Sequence, residues 1–127
     1  MRITSFDPVI VTTKQAECLE LFEALGFERK HAPTNEFYGA KVTSVRMKHP
    51  NGYHVDVVSK STKNDADEML IRVNVDDFEE AYRLMTAHGF KNIHGDETID
   101  VKSARSASME GPSGARIAIV KHIKDHD

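Results

Sequence analysis

The chain states the same pattern twice. Met47-Lys48-His49-Pro50-Asn51-Gly52-Tyr53-His54-Val55-Asp56-Val57-Val58 returns sixty-two residues later as Met109-Glu110-Gly111-Pro112-Ser113-Gly114-Ala115-Arg116-Ile117-Ala118-Ile119-Val120. The period is too long for a solenoid and two copies are too few for an array, so the pattern implies one small domain built from a duplicated supersecondary unit. Duplication gives a rule for reading function. Where the copies agree, the fold accounts for a residue; where they differ on an inward face, a ligand is a candidate reason.

The copies share more than a hairpin. Phe6 to Thr13 alternates as a strand with two different faces. Gln15 to Leu25 carries Cys18, Leu21, Phe22 and Leu25 at helical spacing, and Gly26 is placed to end that helix in a left-handed cap. Phe27 begins a second strand, a loop with Pro33, Asn35 and Gly39 follows, and strands from about Lys41 to Lys48 and from Tyr53 to Ser59 flank the turn His49-Pro50-Asn51-Gly52. After a polar stretch from Lys60 to Glu68 the cycle restarts: Leu70 to Val75 as strand, Asp77 to His88 as helix, Gly89 as cap, Phe90 opening the next strand, and Ala115 to Val120 as the last. The fold class is α+β, in two tandem β-α-β-β-β modules of about 4–60 and 67–124 within a single domain, 1–127. Gly26 and Gly89 are sixty-three apart while the hairpins are sixty-two apart, so the helix registers differ by one residue.

Composition excludes several classes of function. A net charge of −3 with no basic stripe argues against nucleic acid as partner. No apolar run approaches the roughly 18 residues of a membrane span, and Met1-Arg2-Ile3-Thr4-Ser5-Phe6-Asp7 lacks the apolar core of a signal peptide. The single cysteine cannot form an internal disulfide, which agrees with a cytoplasmic location.

The order and doubling of these pieces resemble the vicinal oxygen chelate superfamily, which includes glyoxalase I, bleomycin-resistance proteins and extradiol dioxygenases. The resemblance rests on Pro8 through Gln15, Leu25-Gly26-Phe27, Pro50-x-Gly52 leading into Val55-Asp56-Val57, Val75-Asp76-Asp77, His88-Gly89-Phe90, and Pro112-x-Gly114 leading into Ile117-Ala118-Ile119. It implies a curved mixed sheet around a cleft with the helices on its outer face, and a homodimer. Metal-using members carry ligands early in the first strand and in the last strand of each module. Carried over, those points are Pro8, Asp56, Leu70 and Ala118. Proline, leucine and alanine offer no side-chain donor, so the chain is degenerate at the metal positions and no metal or other cofactor is expected.

If those four residues mark the concave side, the period of two sends Ile10, Thr12, His54, Arg72, Asn74 and Arg116 there as well, and turns Val9, Val11, Val55, Val57, Ile71, Val73, Val75, Ile117 and Ile119 toward the helices. Two arginines, a histidine and an aspartate then face a hollow where the fold demands no charge. The candidate ligand-binding set is His54, Asp56, Arg72, Asn74, Arg116, Thr12 and Tyr38, the last on a loop at the pocket rim. An ion pair of Asp56 with Arg72 or Arg116, serving structure alone, is the plainer alternative. Cys18, Met47 and Met109 are read as core, and His88 as a helix-end cap.

The leading functional expectation is a metal-independent protein that binds a small organic molecule, with an anionic one among the candidates, in sequestration or resistance, with no catalytic residue assigned. A lyase, isomerase or dioxygenase with a displaced metal site is the alternative. A non-catalytic interaction module is the third.

Overall fold

The computed structural model describes residues 1–32, 34–37, 40–60, 66–101 and 104–122, and divides into two units, Asp7–Met69 and Met1–Phe6 with Leu70–Asp127. The fold is α+β, with one helix and a mainly antiparallel set of strands in each unit.

In the first unit, β1 (Ile3–Thr12, of which Asp7 onward belongs here) leads into α1 (Gln15–Ala24), β2 (Glu28–His31), β3 (Thr34–Phe37), β4 (Ala40–Lys48) and β5 (His54–Ser59). The strands run in the order β2-β4-β5-β1, with β3 on β4. β4 and β5 form an antiparallel hairpin and β5 runs parallel to β1. Leu19, Val45, Met47, Val55 and Val57 make the buried core, with Ile10, Cys18, Phe22 and Phe27 packed against it. Gln15 ties the head of α1 to the sheet, its Nε2 donating to the Thr43 carbonyl at 2.8 Å and the Val57 carbonyl at 3.0 Å. Burial pushes the Cys18 thiol up, with a smaller push from Asp67, which suits a packed core thiol rather than a nucleophile.

At the other end of α1 the chain turns through Gly26 at φ 101°, and a Cβ there would stand 3.1 Å from Nε2 of His49. His49 is itself fixed between Phe27 and Tyr53, with ring centroids 5.2 Å and 5.6 Å away. Gly26→Ala is therefore expected to cost about 1–2 kcal/mol from left-handed strain alone. Urea unfolding midpoints with and without the substitution measure it.

In the second unit, β6 (Glu68–Val75, of which Leu70 onward belongs here) is followed by α2 (Phe78–Ala87), β7 (Lys91–Asn92), β8 (Ile99–Val101), β9 (Ala104–Glu110) and β10 (Arg116–His122). The order is β6-β10-β9-β7, with β8 on β9. Asp77 caps α2 by accepting from the Glu80 amide at 3.1 Å, and the His88 ring donates to the Leu84 carbonyl at 2.7 Å. Val75, Phe78, Ala81, Ala107, Met109 and Ile119 form the core. Met47 and Met109 are both wholly closed from solvent, at matching places in the two units.

Each module thus has one strand more than the expected β-α-β-β-β. Thr34–Phe37, read from sequence as loop, is a strand whose partners run from Thr34 with Thr43 to Phe37 with Ala40. A four-residue polar segment carries no period-two apolar signal, and only its neighbour makes it a strand. β1 also starts earlier than Phe6 because Ile3–Phe6 belongs with the second unit, where β1 neighbours β6.

Candidate functional site

The register of three strands sets the chemistry of the first unit. Asp56 sits beside Val9 of β1 on one side and Arg46 of β4 on the other. Paired residues share a face, so Asp7, Val9 and Val11 lie with Asp56, while Pro8, Ile10 and Thr12 lie with Val55 and Val57 on the helix side. The expected phasing of β1 was off by one residue, and a slip of one exchanges the faces of a strand completely. Ile10 accordingly packs in the α1 core. Thr12 is 2% exposed and its Oγ1 accepts from the Lys14 amide at 2.9 Å, holding the turn into α1.

The corrected phase brings a second carboxyl to the face. Asp7 and Asp56 are 2% and 1% exposed. Arg46 reaches both: its Nε donates to Oδ1 of Asp56 at 3.2 Å and its Nη2 stands 3.7 Å from Oδ1 of Asp7. The guanidinium is the accessible member of the trio, its side chain 30% exposed. Burial, then the hydrogen bond and the charge of Asp7, push the Asp56 carboxyl up to about 8, against the opposing pull of Arg46. At neutral pH the Asp56 carboxyl therefore keeps its proton, beside Asp7 and Arg46.

Arg46, on the adjacent strand, donates to Asp56, a partner that sequence reasoning did not name beside Arg72 and Arg116. Arg116 instead donates to Glu110 at 2.8 Å. Neither Arg46 nor Asp7 was in the expected set. The hairpin could have revealed Arg46, since a turn centred on Asn51 sets position 46 opposite position 56. His54 shares the Asp56 face and lies opposite Lys48.

In the second unit, Arg72 lies beside Ala118 and Asn74 beside Val120, on the face away from the α2 core, as expected. Asn74 is buried; its Nδ2 stands 3.1 Å from Nε2 of His122, and its Oδ1 has no hydrogen-bond partner among the described residues. Arg116 and Glu110 border an open groove of about 560 Å³ with Lys91 and Pro112. Tyr38 lies outside the described residues.

No protein-family model matches the sequence, and no curated protein matches it. Solved structures do match. Methylmalonyl-CoA epimerase from Mycobacterium tuberculosis superposes with a TM-score of 0.72 at 13% identity, over 94% of this chain and 88% of that one. A Streptomyces coelicolor methylmalonyl-CoA epimerase variant in complex with 2-nitronate-propionyl-CoA gives 0.70 at 14% identity, over 99% of both chains. A glyoxalase I mutant from Zea mays gives 0.67 at 13% identity, over 98% of this chain and 46% of that one. This is the vicinal oxygen chelate fold.

Within that fold the four metal points can now be placed on the observed register. Val9 pairs with Asp56 and Arg72 with Ala118, so the first strands correspond at an offset of sixty-three and the counterpart of Leu70 is Asp7, not Pro8. The first unit thus presents two buried carboxyls, Asp7 and Asp56, on one face, both within reach of Arg46. Among the described residues, no group of three or more His, Cys, Asp or Glu side chains gathers in a way that could hold a metal ion. The fold also contains no helix long and apolar enough to cross a membrane among the described residues.

Proposed function

We propose that this protein binds a small organic molecule without a metal, in the manner of a sequestering or resistance protein. The observation that carries this reading is where the two modules diverge. On the helix-facing side the copies agree in kind: Val45 with Ala107, Met47 with Met109, Val55 with Ile117, Val57 with Ile119. On the opposite side, Asp7, Arg46 and Asp56 stand where the second copy has Leu70, Ser108 and Ala118. A fold that needs none of these charges in one copy does not need them in the other. Burying two carboxyls is costly, and that cost is understandable where a ligand gains from a fixed polar group.

Asp56 and His54 on the first unit, and Arg72, Asn74 and Arg116 on the second, are the residues we assign to ligand contact, with Arg46 added. Thermal shift against a panel of metabolites and natural products tests the reading: selective stabilisation by organic ligands supports it. Silence across the panel at millimolar concentration contradicts it.

Metal independence has its own test. Titration calorimetry with zinc, nickel, manganese and iron(II) salts is expected to show no stoichiometric site at pH 7. A one-to-one ion lost on Asp7→Asn would contradict the reading and favour the metal-dependent enzyme instead.

A further inference from the structure

We propose that Arg46 is the receptor for the anionic group of a small ligand, presented above a buried carboxyl pair that sets how much of its positive charge is available. The proposal rests on the reading of this protein as a small-molecule binder and names the chemical class it takes: a carboxylate or a tetrahedral oxyanion.

Geometry divides the trio into two roles. Asp7 and Asp56 are closed from solvent and Arg46 is not, so an incoming molecule meets the guanidinium before either carboxyl. Of the five N–H donors on that side chain, Nε is committed to Asp56, and the Nη2 contact to Asp7 at 3.7 Å is longer than a hydrogen bond. The terminal nitrogens retain the fork that suits a planar or tetrahedral anion.

The surroundings on the same face are Lys48 on β4, His54 on β5, and Glu28 and His31 on β2, which lie opposite Lys48 and Arg46. Glu28 is itself paired to Lys30 at 2.9 Å. α1 packs on the other face and brings no charge to this one. Below about pH 8 Asp56 keeps its proton. When that proton leaves, a further negative charge appears beneath the guanidinium. An anion bound above must then compete with it.

The sign follows from linkage. Anion binding favours the protonated pair, so affinity is full below about pH 8, where Asp56 holds its proton, and falls as pH rises beyond it. Proton–nitrogen NMR titration with succinate and with sulfate, whose charges stay fixed over this range, reads the effect on the whole chain. At about pH 7 the wild type is expected to bind one or both, and at about pH 9.5 to bind roughly tenfold more weakly. Binding of succinate alone assigns a carboxylate receptor, and of sulfate alone an oxyanion receptor.

Asp56→Asn should abolish the pH dependence between about pH 7 and 9.5. Arg46→Met should abolish binding, and Arg46→Lys, which keeps charge and length, should retain a weakened site if the first variant is poorly folded. A folded wild type indifferent to both anions at neutral pH overturns the anion receptor while hits in the metabolite panel leave the binding function standing. Undiminished binding by Arg46→Met, or an unchanged affinity at high pH, overturns it as well.

Discussion

Asp56→Asn is expected to stabilise the protein at pH 8 and above, by about 2–4 kcal/mol. Removing a charged side chain from the interior usually costs stability, so the direction is the informative part. In the unfolded chain Asp56 ionises at the ordinary carboxylate value, whereas in the fold it is pushed up to about 8. The folded state therefore binds more protons than the unfolded one between these limits. The stability contributed by the protonated form is complete below about pH 4, and is lost at up to about 1.4 kcal/mol per pH unit until about pH 8. Asparagine keeps the oxygen that accepts from Arg46 and never ionises. Urea denaturation of both proteins from about pH 4 to pH 9 should show a falling curve for wild type and a flatter one for the variant, the gap widening with pH. A variant less stable than wild type at high pH would mean that the Arg46 ion pair outweighs the cost of crowding two carboxyls.

The second large effect belongs to the core. Met47→Ala and Met109→Ala are each expected to cost about 2–5 kcal/mol, because both side chains are wholly buried and alanine leaves a cavity the surrounding strands cannot close. Met47 is flanked by Val55 across the hairpin and Met109 by Ile117 at the equivalent place. Replacement by leucine, which conserves volume, should cost less than about 1.5 kcal/mol at either site. Unfolding midpoints measure all four. A pair of alanine variants within a few tenths of wild type would show that the two methionines do not fill the space their burial implies.

Methionines at matching places were legible before any coordinates, because a buried residue that recurs in both copies needs only the fold to account for it. The two helices, their glycine ends and the hairpin turns were legible for the same reason: apolar spacing and positive-φ glycine are local signals. The phase of β1 was not. Val9 and Val11 alternate with Pro8 and Ile10, and either pair is apolar enough to pack under a helix, so alternation alone cannot choose the face. One clue was present and unused. The caps at Gly26 and Gly89 are sixty-three residues apart, and applying that offset to the strand before each helix would have matched Asp7 with Leu70. The short strands at Thr34–Phe37 and Ile99–Val101 were illegible for a different reason, since polar edge strands owe their existence to a partner rather than to their own pattern.

The site was therefore half legible. Asp56 stood out as the charged member of a copied hairpin, and Arg72, Asn74 and Arg116 were assigned the correct side of their strands. What isolates Asp56 chemically, a second carboxyl from β1 and a guanidinium from β4, came from strand pairing and not from any motif.

Asp7 and Asp56 share a buried face beneath Arg46, and Asp56 there keeps its proton at neutral pH. Carbon-13 NMR of the aspartate side-chain carboxyls, followed from acid to alkaline pH, tests it most directly. The Asp56 carboxyl is expected to titrate near 8, and Asp7→Asn to lower it. An Asp56 step near 4 would contradict this.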